Sequence, residues 1–335
     1  MNKKQYNMSE KFSKVNVARQ YRDKFGMEMP TLKLARIMYS ENNLLFKSVE
    51  SCRDVLRAIE GKKSAKTTVA THSCENRPLN PYNLPKSDAT ENHPFVISGY
   101  KKGLILNDIH LPYHDVEAIT AAIDFAKKEK PDFIFLNGDV VDFHGISYFM
   151  KDPRAKRFAE ELDMLKDFIE NLKKIFKCKI FYKLGNHELR LNNFLFQKAH
   201  ELVGVEEFDL KTIIQKRCPD VEIIGDKTLV IIGGLPFIHG HELGRNLFSP
   251  VNAARGLFLQ AKHSAVKADC HTSSEHSETD ITGRLMTTYS VGCLCSLSPE
   301  WLRFNKWNSG FAMIDVIDDH NYKFRNYRIN KGVVL

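Results

Sequence analysis

Three times between residues 103 and 186 a short apolar run breaks off at an Asp or an Asn. Gly103-Leu104-Ile105-Leu106 stops just before Asp108, Phe133-Ile134-Phe135-Leu136 just before Asp139, and Lys179 to Leu184 just before Asn186. Amphipathic stretches at helical spacing, Val116 to Lys128 and Arg157 to Phe176, separate the runs. Strands alternating with helices predict parallel β-α-β units, whose strands are buried on both faces and read as continuous apolar runs. Residues just past the carboxyl ends of such strands gather on one rim, where ligands bind. From about Val221 the pattern changes to closely spaced strands: Val221 to Ile224, Leu229 to Ile232, Pro236 to His239, Leu285 to Val291, Phe311 to Val316 and Tyr322 to Tyr327. The body, residues 100–335, is therefore predicted to be α/β with mixed sheets.

A different composition precedes it. Met1 to Thr67 holds fifteen Lys/Arg against seven Asp/Glu, a net +8 that equals the charge of the whole chain, while the remainder balances at 34 against 34. Val15 to Phe25 and Leu32 to Tyr39 carry apolar residues at helical spacing around a Gly26/Pro30 corner. Val49 to Ile59 starts behind Ser48, a good N-cap, and stops at Gly61. These runs predict a small helical domain over residues 1–61, with Arg19, Arg22, Lys24, Lys33, Arg36, Arg53 and Arg57 on its outer faces. A basic three-helix bundle suits nucleic acid as a partner, and a docking or dimerisation unit has the same outline. Residues 62–99 are polar, contain Pro78, Pro81, Pro85 and Pro94, and lack periodicity, which predicts a linker or surface arm.

Nothing approaches the length of apolar sequence that a membrane span needs, and no apolar stretch follows the N-terminal lysines as in a secretory signal. Seven scattered cysteines, at 52, 74, 178, 218, 270, 293 and 295, read as reduced thiols of a cytoplasmic protein. Cys293-Leu294-Cys295 has the wrong spacing for a structural zinc site and reads as a strand with both thiols on one face.

Chemistry concentrates in five fragments: Asp108-Ile109-His110, Gly138-Asp139-Val140-Val141-Asp142, Gly185-Asn186-His187-Glu188, His239-Gly240-His241 and Asp269-Cys270-His271. Carboxylate, amide oxygen and imidazole are ligands for divalent metals, and two such ions can activate water for attack on phosphorus. Gly138 and Gly185 let the chain turn sharply at the rim. The series resembles the calcineurin-like metallophosphoesterase superfamily, with its Asp-x-His, Gly-Asp-x-x-Asp, Gly-Asn-His-Asp/Glu, a later His and a Gly-His-x-His. The likeness covers about residues 101 to 330, and its first three motifs match without exception. It implies a four-layer α/β/β/α sandwich with two metal ions between its sheets. By the same resemblance Asp108, His110 and His271 would bind one ion, Asn186, His239 and residue 269 the other, and Asp139 would bridge them with a water or hydroxide. His187 would act beside the metals, giving a proton to the leaving oxygen or steadying phosphoryl charge.

The last motif departs from the family pattern, because Ala268-Asp269-Cys270-His271 stands where Gly-His-x-His is expected. Aligning Asp269 with the first His and His271 with the second keeps a good ligand at each place; the alternative alignment leaves Ser273 at the second. Asp269 would harden one site toward Mn²⁺ or Mg²⁺, with Fe and Zn as the other candidates. Asp142 and Glu188 are expected to support the ligands through hydrogen bonds. His241 is expected to point away along its loop, and His276 to lie near the rim. Arg190, Arg245 and His144 are candidates for substrate contact, the guanidinium being well shaped for phosphate oxygens. Trp301, Phe304 and Trp307 suit packing or base stacking.

The superfamily includes phosphoprotein phosphatases, nucleotide hydrolases and DNA nucleases. The Arg-Gly that normally follows the second motif in the phosphatase and dinucleotide branches is replaced here by Phe143-His144-Gly145. With the basic head, this favours a two-metal phosphodiesterase acting on DNA or RNA, of the kind encoded by phages and mobile elements, in the cytoplasm of a bacterial or phage-infected cell. The alternatives are a phosphomonoesterase acting on a phosphoprotein or nucleotide, and a nucleic-acid-binding protein with a vestigial phosphoesterase domain.

Overall fold

The computed structural model describes residues 3–43, 45–62, 82–89, 92–150, 156–243, 252–299 and 302–335, with the side chains of the first helix from Lys14 onward. Two compact units divide the chain between residues 90 and 91.

The first unit comprises α1 (Lys3–Phe25), α2 (Thr31–Glu41) and α3 (Val49–Ile59). The Ser48 hydroxyl accepts the Ser51 N–H at 3.1 Å, the N-cap that its position predicts. Ala18, Leu34, Ala35, Met38, Phe46, Cys52, Leu56 and Ile59 form the core. Lys24, Lys33 and Arg36 are exposed, and Arg19, Arg53 and Arg57 partly so. Arg22, expected on an outer face, is instead buried. Its Nη1 donates to the carbonyls of Gly26 and Met29, at 2.9 and 2.7 Å, and Nη2 pairs with the buried Glu60. The carbonyls at the end of α1 lack helical donors, and a guanidinium can serve several at once while Glu60 balances its charge.

The second unit contains two sheets. The seven-stranded one runs β13-β12-β11-β2-β3-β4-β5. Its parallel half is β2 (Lys102–Leu106), β3 (Phe133–Asn137), β4 (Lys179–Lys183) and the edge strand β5 (Glu222–Ile224). The strands β11 (Ser309–Val316), β12 (Tyr322–Asn330) and β13 (Val333–Val334) extend it antiparallel. The crossovers are α4 (Val116–Glu129), capped by Asp115, and α5 (Phe158–Phe176); α6 (Arg190–Lys198) and α7 (Leu210–Arg217) follow β4.

The six-stranded sheet is ordered β1-β6-β7-β8-β10-β9. It consists of β1 (Phe95–Ile97), β6 (Val230–Ile232), β7 (Leu235–Phe237), β8 (Ala265–Lys267), β9 (Ser274–Thr279) and β10 (Leu285–Ser290). Helix α8 (Ala253–Ala261) packs against β8, β9 and β10. β6–β7, β9–β10, β11–β12 and β12–β13 are hairpins, but parallel pairs join β1 to β6 and β8 to both β7 and β10, so the second half is more than a meander.

Side-chain alternation assigns the layers. Ile134 and Leu136 face α4 and α5, while Phe133 and Phe135 face the other sheet and meet Val230, Ile232, Phe237 and Val266. Helices, sheet, sheet and helix therefore stack as the expected four layers. The body also reaches further back than residue 100, because β1 pairs in register with β6, Phe95 opposite Val230. Three residues are too few to show an apolar period within a polar stretch. Among the described residues, no helix is long and apolar enough to cross a membrane.

Candidate metal centre

Asp108, Asp139 and Asn186 follow β2, β3 and β4; His239 follows β7, and Asp269 and His271 follow β8. With His110 they meet in one pocket between the sheets. Asp139 lies at its middle, Oδ2 being 3.3 Å from His239 Nε2 and 3.8 Å from His110 Nε2. On one side His110 Nε2 faces His271 Nε2 at 3.2 Å, and His271 Nε2 faces Asp108 Oδ1 at 3.4 Å. On the other, one end of the Asn186 carboxamide is 3.3 Å from Asp139 Oδ2 and 3.1 Å from both His239 Nε2 and Asp269 Oδ1. Backbone at Asp108, His110, Asp139, Asp269 and His271 is left-handed, with φ of 50°, 52°, 51°, 63° and 53°. Such strain in non-glycine residues clusters at functional sites.

The donors fit divalent ions. Acceptor atoms converge on one another, and the fully buried Asp108 Oδ1 has no hydrogen-bond partner among the described residues. His239 donates Nδ1–H to the Asn137 carbonyl at 2.8 Å, and His110 Nδ1 lies 3.2 Å from Asp142 Oδ2, so both rings turn Nε2 inward as ligands do. Asn186 turns its carboxamide oxygen inward, 3.1 Å from His239 Nε2, as a ligand to a cation would; swapped, its nitrogen would donate to the same neighbours. Asp108, Asp139 and His239 form one close group of donors, and His110, Asp142 and His187 another.

Charges in the pocket lean on one another. Burial opposes the imidazolium of His271, yet the Asp108 carboxylate prevails and pushes its pKa up to about 9. Burial likewise opposes ionisation of Asp139, but His187 and His239 hold its carboxyl well below the usual range. Asp269, by contrast, is driven up to about 6 by burial, with the Asp139 and Asp108 charges adding to the effect.

The rim is braced from below. The buried Glu188 carboxylate accepts the backbone N–H groups of Asp139, Val140 and Gly185, at 3.0, 2.8 and 2.7 Å, and the Tyr182 hydroxyl at 2.5 Å. It thus ties the second motif to the third. Gly185 lies against Asp139 so closely that a Cβ would fall 2.6 Å from the Asp139 nitrogen. Asp142 Oδ2 is 3.2 Å from Nδ1 of both His110 and His187. Burial opposes the charge on His187, but Asp139 and Asp142 raise its pKa.

The other expected residues are placed as follows. Arg190 donates to Asp142, and its Nη2 faces His187 Nε2 at 3.2 Å. His144 sits, half-buried, in a short turn directly after the second motif. Arg245 and Trp301 lie outside the described residues. The ring of His241 remains beside His239, 5.3 Å between centroids, and burial lowers its pKa. His276 bonds Glu278 on β9, away from the ligands. Trp307 packs edge-on against His271, with centroids 4.2 Å apart, while Phe304 is exposed.

Cys293 and Cys295 do not share a strand. The segment after β10 leaves its sheet and bonds the first motif's loop, Leu294 N–H to the Asp108 carbonyl at 3.0 Å, with single bridges from Cys293 to Ser309 and from Cys295 to His114. This brings Cys295 Sγ to 3.8 Å from His271 Nδ1, so Cys295, His110 and His271 form a third close donor group. Sequence gave no sign of it, because the contact depends on where the chain crosses between sheets.

The Gene 54 protein of Mycobacterium phage L5 is 23% identical over 232 residues, 66% of this chain and 91% of that protein. Among solved structures, Vacuolar Protein Sorting 29 from Cryptosporidium parvum matches with 13% identity and a TM-score of 0.39, covering 70% of this chain and 95% of that one. A dimetal phosphatase from Danio rerio matches with 10% identity and a TM-score of 0.36, covering 70% and 98%. The profile of the calcineurin-like phosphoesterase family matches residues 102–292, a span that runs from β2 through the first four motifs and past His271. The chain belongs to the calcineurin-like phosphoesterase family.

Proposed function

We propose that the protein hydrolyses phosphate diesters of DNA or RNA with two divalent ions, Mn²⁺ foremost. The observation that carries this reading is the position of Asp139 between two sets of ligands from separate motifs. Asp108, His110 and His271 would hold one ion, and Asn186, His239 and Asp269 the other, with Asp139 reaching both. Bound there, the ions would neutralise charge growing on the phosphoryl oxygens and acidify a water.

The chain's own groups do the rest. His187, steadied by Asp142, gives its proton to the leaving oxygen, and the Asp139 and Asp142 carboxylates favour the protonated ring that this requires. His144 and Arg245 are kept as groups that meet the substrate. Exposed Lys24, Lys33 and Arg36 on the helical unit supply affinity for a phosphate backbone irrespective of sequence. The six described cysteines are free thiols, in keeping with the reducing cytoplasm of a bacterial or phage-infected cell.

Parallel assays of bis-p-nitrophenyl phosphate and p-nitrophenyl phosphate with Mn²⁺ test the reading, with Asp139→Asn as control. Diester turnover that disappears in the variant is the expected result. Turnover of the monoester alone would replace it with a phosphomonoesterase acting on a phosphoprotein or nucleotide. Silence on both substrates without Mn²⁺ uptake would leave a vestigial domain attached to a binding module.

A further inference from the structure

We infer that Lys183 and Glu242 are positioning residues for the ion held by Asn186, His239 and Asp269, forming a buried ionic clamp on the His239-Gly240 turn. The inference rests on the two-ion reading above.

Lys183 ends β4, and its side chain is fully buried. Its Nζ lies 3.0 Å from Glu242 Oε1 and donates also to the carbonyls of Gly225, at 3.4 Å, and Asp226. A lysine is almost never buried in this way unless it is paired. Glu242 in turn receives the His239 N–H on Oε1 at 3.1 Å and the Gly240 N–H on Oε2 at 2.6 Å. A carboxylate can accept both donors with separate oxygens while still facing the ammonium. The chain of contacts therefore starts in the seven-stranded sheet, crosses the pocket floor and ends on the loop that leaves β7 in the other sheet.

What this fixes is complementary to the ring contact already described. The Asn137 carbonyl sets the tautomer of His239, and the clamp sets where its backbone stands. Gly240 backs directly onto another ligand: a Cβ there, at φ +138°, would lie 2.8 Å from Asp269 Cβ. The clamp thus bears on His239 and Asp269 together. Among the described residues, Lys183 and Glu242 make no hydrogen bond or ion pair with Asp108, His110 or His271, so the effect should be confined to one ion.

The test titrates full-length, metal-free protein with Mn²⁺ by calorimetry and follows amide exchange at His239 and Gly240. Lys183→Met leaves the mostly buried Glu242 without the lysine's counter-charge and risks misfolding. The double variant Lys183→Met/Glu242→Gln removes both charges and is the decisive one. The clamp predicts that one Mn²⁺ event weakens roughly ten- to a hundredfold while the other stays within about twofold. Exchange at the two amides should accelerate in the same protein. Equal weakening of both events, unchanged binding, or wild-type protection of those amides would overturn the inference. A wild-type protein that takes fewer than two Mn²⁺ ions would sink the two-ion reading instead, and the amide exchange would then decide the clamp alone.

Discussion

Arg190 holds Asp142 twice through a single nitrogen, Nη1 lying 2.6 Å from its carbonyl oxygen and 2.8 Å from Oδ1. The other nitrogen, Nη2, faces His187 Nε2 at 3.2 Å. The guanidinium is therefore committed to the carboxylate that steadies His187, rather than free to receive a phosphate. Arg190→Lys cannot reproduce this planar contact. It should lower kcat by roughly tenfold and leave KM and Mn²⁺ stoichiometry near wild type. A rise in KM at constant kcat would instead make Arg190 a substrate ligand.

Asp269 gives its half of the pocket an oxygen donor where the family pattern has imidazole. Asp269→His should shift that half toward Zn²⁺, which favours nitrogen ligands more than Mn²⁺ does. Competition between Zn²⁺ and Mn²⁺, read as bound metal in wild type and variant, checks this. Identical competition in the two proteins would remove Asp269 from the ligand set.

Gly185 packs against Asp139, the ligand proposed to serve both ions. Gly185→Ala would press a methyl group onto Asp139, so uptake of both ions should fall together. Overpacking of this kind costs about 1–3 kcal/mol, which a denaturant midpoint would register. Retention of either ion at wild-type affinity would contradict a bridging Asp139.

Glu161 on α5 is buried and accepts the Phe143 N–H at 2.6 Å just behind the second motif. Burial raises its pKa from 4.5 to about 7. An acid whose pKa is raised on folding contributes fully below its unfolded value and loses that contribution as pH climbs through the folded one. Wild type should therefore weaken relative to Glu161→Gln between pH 4.5 and pH 7. The gap should reach on the order of 2–3 kcal/mol and stay constant above that window. Thermal unfolding of both proteins from pH 5 to pH 8 decides the matter; parallel curves would refute it.

The helical unit offers two contrasting substitutions. Arg22→Met leaves the Glu60 carboxylate to Lys62, 2.9 Å away, and to the Thr31 hydroxyl, but strips the Gly26 and Met29 carbonyls of their donor, a loss of about 1–3 kcal/mol. It should destabilise the bundle, seen as faster amide exchange in α1 and α3. Lys33→Ala/Arg36→Ala removes exposed charges only. In the full chain it should reduce the slope of log K against log salt for DNA binding by roughly two. An unchanged slope would take the bundle out of nucleic-acid contact.

These residues also show what the sequence discloses. Asp108, Asp139 and Asn186 are visible because each ends an apolar run, and a strand end in an α/β sheet already specifies a place. His187 and Glu188 come with the same motif. Lys183 and Cys295 are silent because their partners come from distant parts of the chain, and Glu242 because its counter-charge, Lys183, lies on another strand. Arg22 misleads for a related reason: a charged residue is outward by default, and only a carboxylate 38 residues away reverses that. The left-handed backbone at Asp108, His110, Asp139, Asp269 and His271 is equally hidden, since Asp and His carry no glycine-like signature.

The short strand β1 has a practical consequence. Phe95–Ile97 belongs to one sheet, and Lys102–Leu106, begun five residues later, to the other. The chain thus stitches the sandwich at its entrance before building either half. A body trimmed to start at residue 100 would lose that stitch and bare the flank of β6, Val230–Ile232, an apolar edge open to pairing with neighbouring molecules. Such a fragment should precipitate where one begun at residue 92 stays dispersed, so the first residue chosen for expression matters as much as any point mutation in the pocket.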